Sequence, residues 1–426
     1  MIRGRQPKVK AKCLSEVERV DRITTLPRAI IETILCLLPI KEAARTSVLS
    51  REWRYKWTTI PKLEFYQDHV KKSSDGSETS DLERARNNMD TRCKLIYVIH
   101  QVLLLHQGLI REFTLSMDAH HTCFEIDQIL LHLSRNHAVK KLRFDFYYDN
   151  AYRLPLSLFS LHHLTDLDLE NCNINQKPIF NGFGSLTSLS LISVKISRKA
   201  LLHLLSNCPS LKCLFMLRVD FLGDEKPNIM ELFKCLPMIE DLTTWGDVIS
   251  SLVQVSVSQE LPTSLIHLKY CYIEELSFKE GYGLPFIAAL IKCSPNLETI
   301  DLAVTDTRLL LKMDDDDDDE IKSVLLDEYS VTLEKYSNVW LEHLNELEIR
   351  YFTHVKPVLE LVKFFLARSP NLKKVSLLTN SVVDKNERLE ILKTLRRSTR
   401  VTGGNCCTLS IASLNLKDGF LLEETF

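Results

Sequence analysis

Apolar residues along most of this chain fall into one frame, at the first, fourth and sixth places of a six-residue run. The frame starts at Ile110, Val139, Leu164, Leu186, Leu211, Ile239, Leu265, Leu297, Leu344 and Leu372, at intervals of mostly about 22 to 32 residues. Alternation at the fourth and sixth places is the period of a strand. Leu201 to Pro209, Phe286 to Pro295 and Leu359 to Pro370 each put a helical stretch and a proline turn ahead of the next run. A strand and a helix cannot bury their apolar sides alone, but stacked copies can, with the strands forming one parallel sheet on the concave side of a curved array. The clearest copies are LTDLDLENCNI from Leu164 and LTSLSLISVKI from Leu186, which place Cys172 and Val194 at equivalent positions.

In this frame the third and fifth places of each strand point out of the concave face. They are Lys141 and Arg143, Asp166 and Asp168, Ser188 and Ser190, Cys213 and Phe215, Asp241 and Thr243, His267 and Lys269, Thr299 and Asp301, Glu346 and Glu348, and Lys374 and Ser376. Their charges are mixed, with no run of Lys and Arg interleaved with stacking aromatics, so a protein or peptide fits this face better than nucleic acid. The candidates for contacting such a target are Asp166, Asp168, Phe215, Asp241, His267, Lys269, Glu346 and Glu348.

The N-terminal region has a different pattern. From Asp21 to Phe65 the chain reads DRITTLPRAIIETILCLLPIKEAARTSVLSREWRYKWTTIPKLEF. Pro27 suits a first helical turn and Pro39 ends the helix that follows. Ile30, Ile34 and Leu38 share one stripe, while Ile31, Leu35 and Leu38 share the next. This helix therefore needs two burial partners. Helical stretches at Lys41 to Ser47 and from Glu52 to about Trp57 supply one. The other must come from outside a unit this small, which predicts a helical binding partner.

Residues 67 to 90 lose large apolar side chains and gain Ser, Asp, Lys and Gly, which predicts a solvated linker. Cys93 to Leu105 returns to helical spacing and is expected to cap the array. Six consecutive aspartates, Asp314 to Asp319, sit in the overlong interval from Leu297 to Leu344 and mark a solvated insertion.

The segment from Asp21 to Phe65 resembles an F-box, close to the plant form LPxxIIxxILxxLPIKEAxRTSVLSxxWRxxW. The frame and its cadence resemble leucine-rich repeats. VWLEHLNELEIRYF followed by VLELVKFFLARSPNLKKVSLL resembles the FBD module that follows F-box and repeats in a plant protein family. The segment RRSTRVTGGNCCTLSI, Arg396 to Ile411, departs from the usual ending of that module. The resemblance implies a substrate-recognition subunit of an SCF-type ubiquitin ligase, made of an SKP-type adaptor, a cullin and a RING subunit. It implies that the docking residues are Leu26, Pro27, Ile30, Leu35, Leu38, Pro39, Val48, Leu49 and Trp53. The alternative is a protein-binding scaffold that engages the adaptor without ubiquitinating anything.

The expected fold class is thus α/β, a small all-helical F-box followed by a leucine-rich-repeat solenoid with its helices on the convex side. The expected divisions are a basic tail over 1–20, the F-box over 21–65, a linker over 66–90, and the solenoid over 91–338 with an acidic insertion near 312–322. FBD-like repeats over 339–412 and a tail over 413–426 complete the chain.

Composition restricts function further. Lys+Arg 54 against Asp+Glu 56 leaves a net charge of -2, so nothing global steers the molecule to nucleic acid or an anionic membrane. The longest apolar runs, Ala29 to Ile40 and Leu95 to Leu105, are broken by Glu32, His100 and Gln101 and are short of a span. With no secretory signal, the 12 cysteines read as reduced and mostly buried, and the expected location is cytoplasmic, nuclear or both. There is no GxSxG, P-loop or HExxH, and no CxxC pair for zinc, so neither catalysis nor a cofactor is expected.

Overall fold

The computed structural model describes residues 23, 25–69, 81–119, 123–135, 139–147, 152–174, 183–223, 228–252, 265–278, 282–304, 339–352, 356–379, 389–395 and 407–413. The array begins with β1 (Lys62–Tyr66), α3 (Asp81–Leu105), β2 (Glu112–Asp118), α4 (Phe124–Arg135) and β3 (Lys141–Tyr147). Before it lie α1 (Arg28–Leu35), α2 (Ile40–Arg45) and two 3-10 turns, 46–48 and 56–59. The middle carries β4 (Tyr152–Arg153), β5 (Asp166–Glu170), β6 (Cys172–Ile174), β7 (Ser188–Ile192), β8 (Lys195–Ser197), α5 (Arg198–Ser206), β9 (Cys213–Leu217) and β10 (Asp220–Leu222). It continues through α6 (Ile229–Lys234), β11 (Asp241–Trp245), α7 (Gly246–Leu252), β12 (Tyr270–Leu276), α8 (Gly283–Cys293) and β13 (Thr299–Val304). The described C-terminal part has β14 (Glu346–Arg350), α9 (Lys356–Arg368), β15 (Lys374–Thr379) and β16 (Thr408–Ser413).

Twelve of these strands form one parallel sheet in the order β1-β2-β3-β5-β7-β9-β11-β12-β13-β14-β15-β16. The register repeats without a slip from β1 to β12: Leu63, Phe113, Leu142, Leu167, Leu189, Leu214, Leu242 and Cys271 stand side by side. All of them are buried. The register is propagated by one backbone device. The carbonyl just before each main-sheet strand from β1 to β14 accepts two N–H groups from the next unit, as Lys140 O does from Thr165 and Asp166, and Glu240 O from Lys269 and Tyr270. Behind the main sheet, β4, β6, β8 and β10 form a second, four-stranded one. The chain turns into it through left-handed residues, Asn171 (φ 56), Ser193 (φ 50) and Arg218 (φ 50). Strain at these side-chain-bearing residues is offset where the amides of Asn171 and Ser193 donate to Ile192 O and Leu217 O of the next repeat. Cys172 and Val194 are buried just beyond these bends.

Three boundaries differ from the sequence reading. First, Ile60, Leu63 and Phe65 satisfy the repeat frame, and β1 pairs in parallel with β2. The end of the F-box-like segment is therefore also the first repeat strand, and the unit expected to be wholly helical gives up its last residues to the sheet. Second, α3 begins at Asp81, so the linker expected over 66–90 is helical in its last ten residues. DLERARNNMD carries no apolar face in its first turns and so looks like a solvated connection. Third, the copy framed on Leu265 starts at Leu268. The turn bond of Leu268 N–H to Leu265 O matches that of Leu297 N–H to Ser294 O, and Tyr270, not His267, pairs with Asp241. The neighbouring copy at Ile239 is weak for a different reason, since Thr244 fills an inward place that holds Met216 and Ile273 on either side.

The FBD-like segment adds β14, β15 and β16 to the same ladder, so it continues the array. The acidic run and the basic tail lie outside the described residues.

A single buried cluster runs from Ile31 to Ile411. The N-terminal helices are thus fused to the solenoid, and polar contacts secure the joint. The amides of Gln107 and Gly108 donate to Thr58 O at 2.8 and 3.3 Å. His106 Nε2–H donates to Ile60 O at 2.9 Å, and burial pushes its imidazole pKa down. Thr59 Oγ1–H donates to Glu32 Oε1 at 2.8 Å. A Cβ on Gly108 would stand 2.7 Å from Thr59 O, so only glycine permits this approach.

Candidate docking and target surfaces

Helix α1 settles the fate of its two apolar stripes. Ile31 and Leu35 are buried at 1% exposure each, whereas Ile30 and Ile34 face outward. The stripe continues at Leu37, 80% exposed, and Leu38, and the 3-10 turn after α2 adds Val48 at 86% and Leu49 at 67%. Apolar side chains this exposed on so small a unit are what an incomplete interface looks like. Of the expected docking residues, Pro27, Ile30, Leu38, Pro39, Val48 and Leu49 lie on the outside, and Leu26 is half-buried against the core. Leu35 and Trp53 are core residues: Leu35 shares the inward stripe with Ile31, and Trp53 is 6% exposed with Lys56 Nζ 5.7 Å from its ring centre. The sequence reading missed Ile34 and Leu37. Choosing between the stripes needed the packing of the second and third helical stretches, which spacing alone does not give.

On the concave face, the third, fifth and seventh places of successive strands form three rows. Toward the N-terminal end, Arg143 lies 3.3 Å from Asp168 and 3.8 Å from Glu170. Burial and then Asp145 push the Glu170 carboxyl above its usual range. Asp166 accepts from Thr165 Oγ1 at 2.6 Å. Further along, the character changes. Phe215 and Trp245 stand edge to face at 5.3 Å, and Trp245 and Tyr272 at 6.1 Å, giving an aromatic ladder across β9, β11 and β12. Arg350 sits 5.1 Å over the Tyr272 ring. It donates through Nη2 to Asp301 Oδ2 at 2.6 Å and through Nε to Glu348 Oε1 at 2.8 Å. Tyr272 O–H donates to Glu274. Asp301 is 5% exposed, and burial pushes its carboxyl up to about 6 despite Arg350, with Glu348 and Glu274 adding to the rise.

Burial pushes the thiols of Cys123 and Cys208 up to about 11, and those of Cys172 and Cys271 higher still, opposite to what a nucleophile needs. Among the described residues no group of three His, Cys, Asp or Glu side chains is placed to hold a metal, and no helix is long and apolar enough to cross a membrane.

Comparison with known proteins bears on both surfaces. The F-box domain model matches residues 9–65, and the model of the leucine-rich repeats of FBD-associated F-box protein At5g56370 matches residues 128–225. The F-box/FBD/LRR-repeat protein At1g13570 of Arabidopsis thaliana is 29% identical over 433 aligned residues, covering 90% of this chain and 97% of that protein. The chain is thus similar to F-box/FBD/LRR-repeat proteins along most of its length. A second Arabidopsis thaliana member, FBD-associated F-box protein At5g60610, is 26% identical over 87% of this chain and 86% of its own length. Among solved structures, an internalin from Listeria monocytogenes aligns with 76% of this chain and 90% of that chain, at 12% identity and a TM-score of 0.30.

The structure places Asp166, Asp168, Phe215, Asp241, Glu346 and Glu348 on the concave rows. His267 and Lys269 are corrected. Both are exposed in the turn before β12, where Lys269 pairs with Glu298 at 3.6 Å, and Tyr270 and Tyr272 hold the row positions assigned to them. Trp245 and Arg350 were missed because only the third and fifth places were considered. Their seventh-place positions also face the concave side, and inspecting them would have shown the only tryptophan of the rows.

Proposed function

We propose that this chain is the non-catalytic target receptor of an SCF-type ubiquitin ligase, its F-box docking an SKP-type adaptor and its concave sheet holding a protein for ubiquitination. The observation that carries the reading is the outward stripe of α1 with Val48 and Leu49, exposed while its twin stripe is core. Burying six such side chains at about 1.5 to 3 kcal/mol each gives a gross gain of about 9 to 18 kcal/mol. That is comparable with or above the roughly 4 to 15 kcal/mol lost on association. The shared core between F-box and repeats supports the rest of the reading. A target held on a rigid arm stays at a set distance from the ligase, so transfer is favoured by proximity alone.

The double substitution V48E/L49E tests it. Both side chains already lie in solvent, so the fold should be unaffected while capture of the adaptor is lost. Undiminished capture, at unchanged thermal stability, overturns the docking assignment. Proteins captured by the concave face should rise in abundance when the cullin is blocked. If none does, only the scaffold reading is left.

A further inference from the structure

The concave face is far more acidic than the chain as a whole. In the three rows from β9 onward, Asp241, Glu274, Asp301, Glu346 and Glu348 stand against two cations, Arg350 and Lys374. The whole chain is nearly neutral, at -2. Arg350 is shared between Asp301 and Glu348, so one positive charge serves two carboxylates. Asp301 is the informative member. Its side chain is 7% exposed, its Oδ2 takes the arginine, and its Oδ1 has no hydrogen-bond donor among the described residues. A buried carboxylate oxygen without a donor costs about 1 to 3 kcal/mol, more when charged. Tyr272 stands beside Asp301 in the sheet with Arg350 over its ring, and 6.1 Å further along is the ring of Trp245, a face of the kind that attracts cations. Carboxylates in excess, an unfilled buried acceptor and aromatic faces together fit a guanidinium or ammonium group and disfavour an acidic or phosphorylated segment.

We propose that the concave face between β11 and β14 receives a basic segment of the target protein, an arginine or lysine side chain lying beside Trp245 and Tyr272 and donating to Asp301 and Glu348. This rests on the reading of the concave sheet as the target surface. It commits that surface to one chemistry. Arg350 then acts as a positioning residue that keeps Asp301 and Glu348 together.

The test is selection from a random 12-residue peptide display library on the full chain co-purified with its SKP-type adaptor. Peptides recovered on the unaltered protein should be enriched in Arg or Lys at one position. For a recovered peptide, D301N and E348Q should each weaken binding by on the order of tenfold, W245A should weaken it too, and raising the salt should do the same. E348Q alters a half-exposed side chain, so it keeps the test open if D301N folds poorly. Recovered peptides without basic enrichment, or basic enrichment that survives both substitutions, overturn the proposal. Failure of the ligase reading would look different: V48E/L49E would leave adaptor capture intact, whatever the peptides show.

Discussion

Asp301 ties the stability of the fold to pH through one buried carboxyl. Its folded carboxyl titrates near 6, against about 4 for an unperturbed aspartate. The native state therefore binds the proton more tightly than the unfolded chain does. The corresponding contribution to stability is complete below about pH 4 and is lost as the pH rises through about 6, on the order of 1 to 3 kcal/mol. Arg350, Glu348, Glu274, Tyr270, Tyr272 and Cys271 are charged and titratable groups around it, and the arginine attraction only partly offsets burial. Asp241 and Glu170 are also pushed up, by burial first, and add slope of the same sign. In D301N, the urea midpoint measured from pH 4 to pH 7 should fall less steeply than in the unaltered chain. Equal slopes would mean that the Asp301 carboxyl is not the group responsible.

At the scale of elements, the joint between β11 and β12 holds the aromatic ladder in place. Helix α7 starts at Gly246, directly after Trp245, with no intervening bend. A Cβ there would lie 1.9 Å from Glu275 O and 2.7 Å from Tyr282 Oη, so the two backbones touch only because the side chain is missing. Glu275 itself is left-handed (φ 58), at the point where the β12 to β13 register shifts. Gly246→Ala must push these segments apart. We expect a loss of about 2 kcal/mol or more in chemical unfolding, with tryptophan emission altered through Trp245. A variant as stable as the parent would show that the approach is not obligatory. The same joint explains which parts of the fold were legible. Strands with Leu, Ile or Phe at both inward places, such as 164–170 and 186–192, could be read directly because period and chemistry agree there. Leu265 and Leu268 both satisfy an apolar start, and only the hydrogen bonds of the neighbouring repeat choose Leu268. The ladder depends on that choice, so Tyr270 and Tyr272 stayed hidden even though the repeat itself was visible. In α1 both stripes were legible and the partner of each was not, because burial on a small unit is decided by the elements that pack on it.

At the scale of the whole molecule, the shared core sets where the chain can be cut. Removing residues 21–65, the span that resembles the F-box, would also remove β1 and leave the edge of β2 unpaired beside the buried Phe113 and Leu115. An exposed parallel edge with an apolar face is an invitation to intermolecular pairing. A deletion ending at residue 58 retains Ile60, Leu63 and Phe65 and so keeps that edge covered, losing the helices and the bonds of Gln107 and Gly108 to Thr58 O while His106 keeps Ile60 O. The longer deletion should therefore aggregate on purification, while the shorter one should remain more soluble and keep the concave surface for peptide binding. Size-exclusion profiles of the two truncations, made side by side, decide the point. Equal behaviour would mean that β1 is dispensable and that the solenoid begins at β2. If the shorter deletion alone stays monomeric, the last residues of the F-box also form the first turn of the repeat array. A loss of target turnover on removing 21–65 would then not by itself separate failed adaptor docking from damaged target binding, whereas V48E/L49E would.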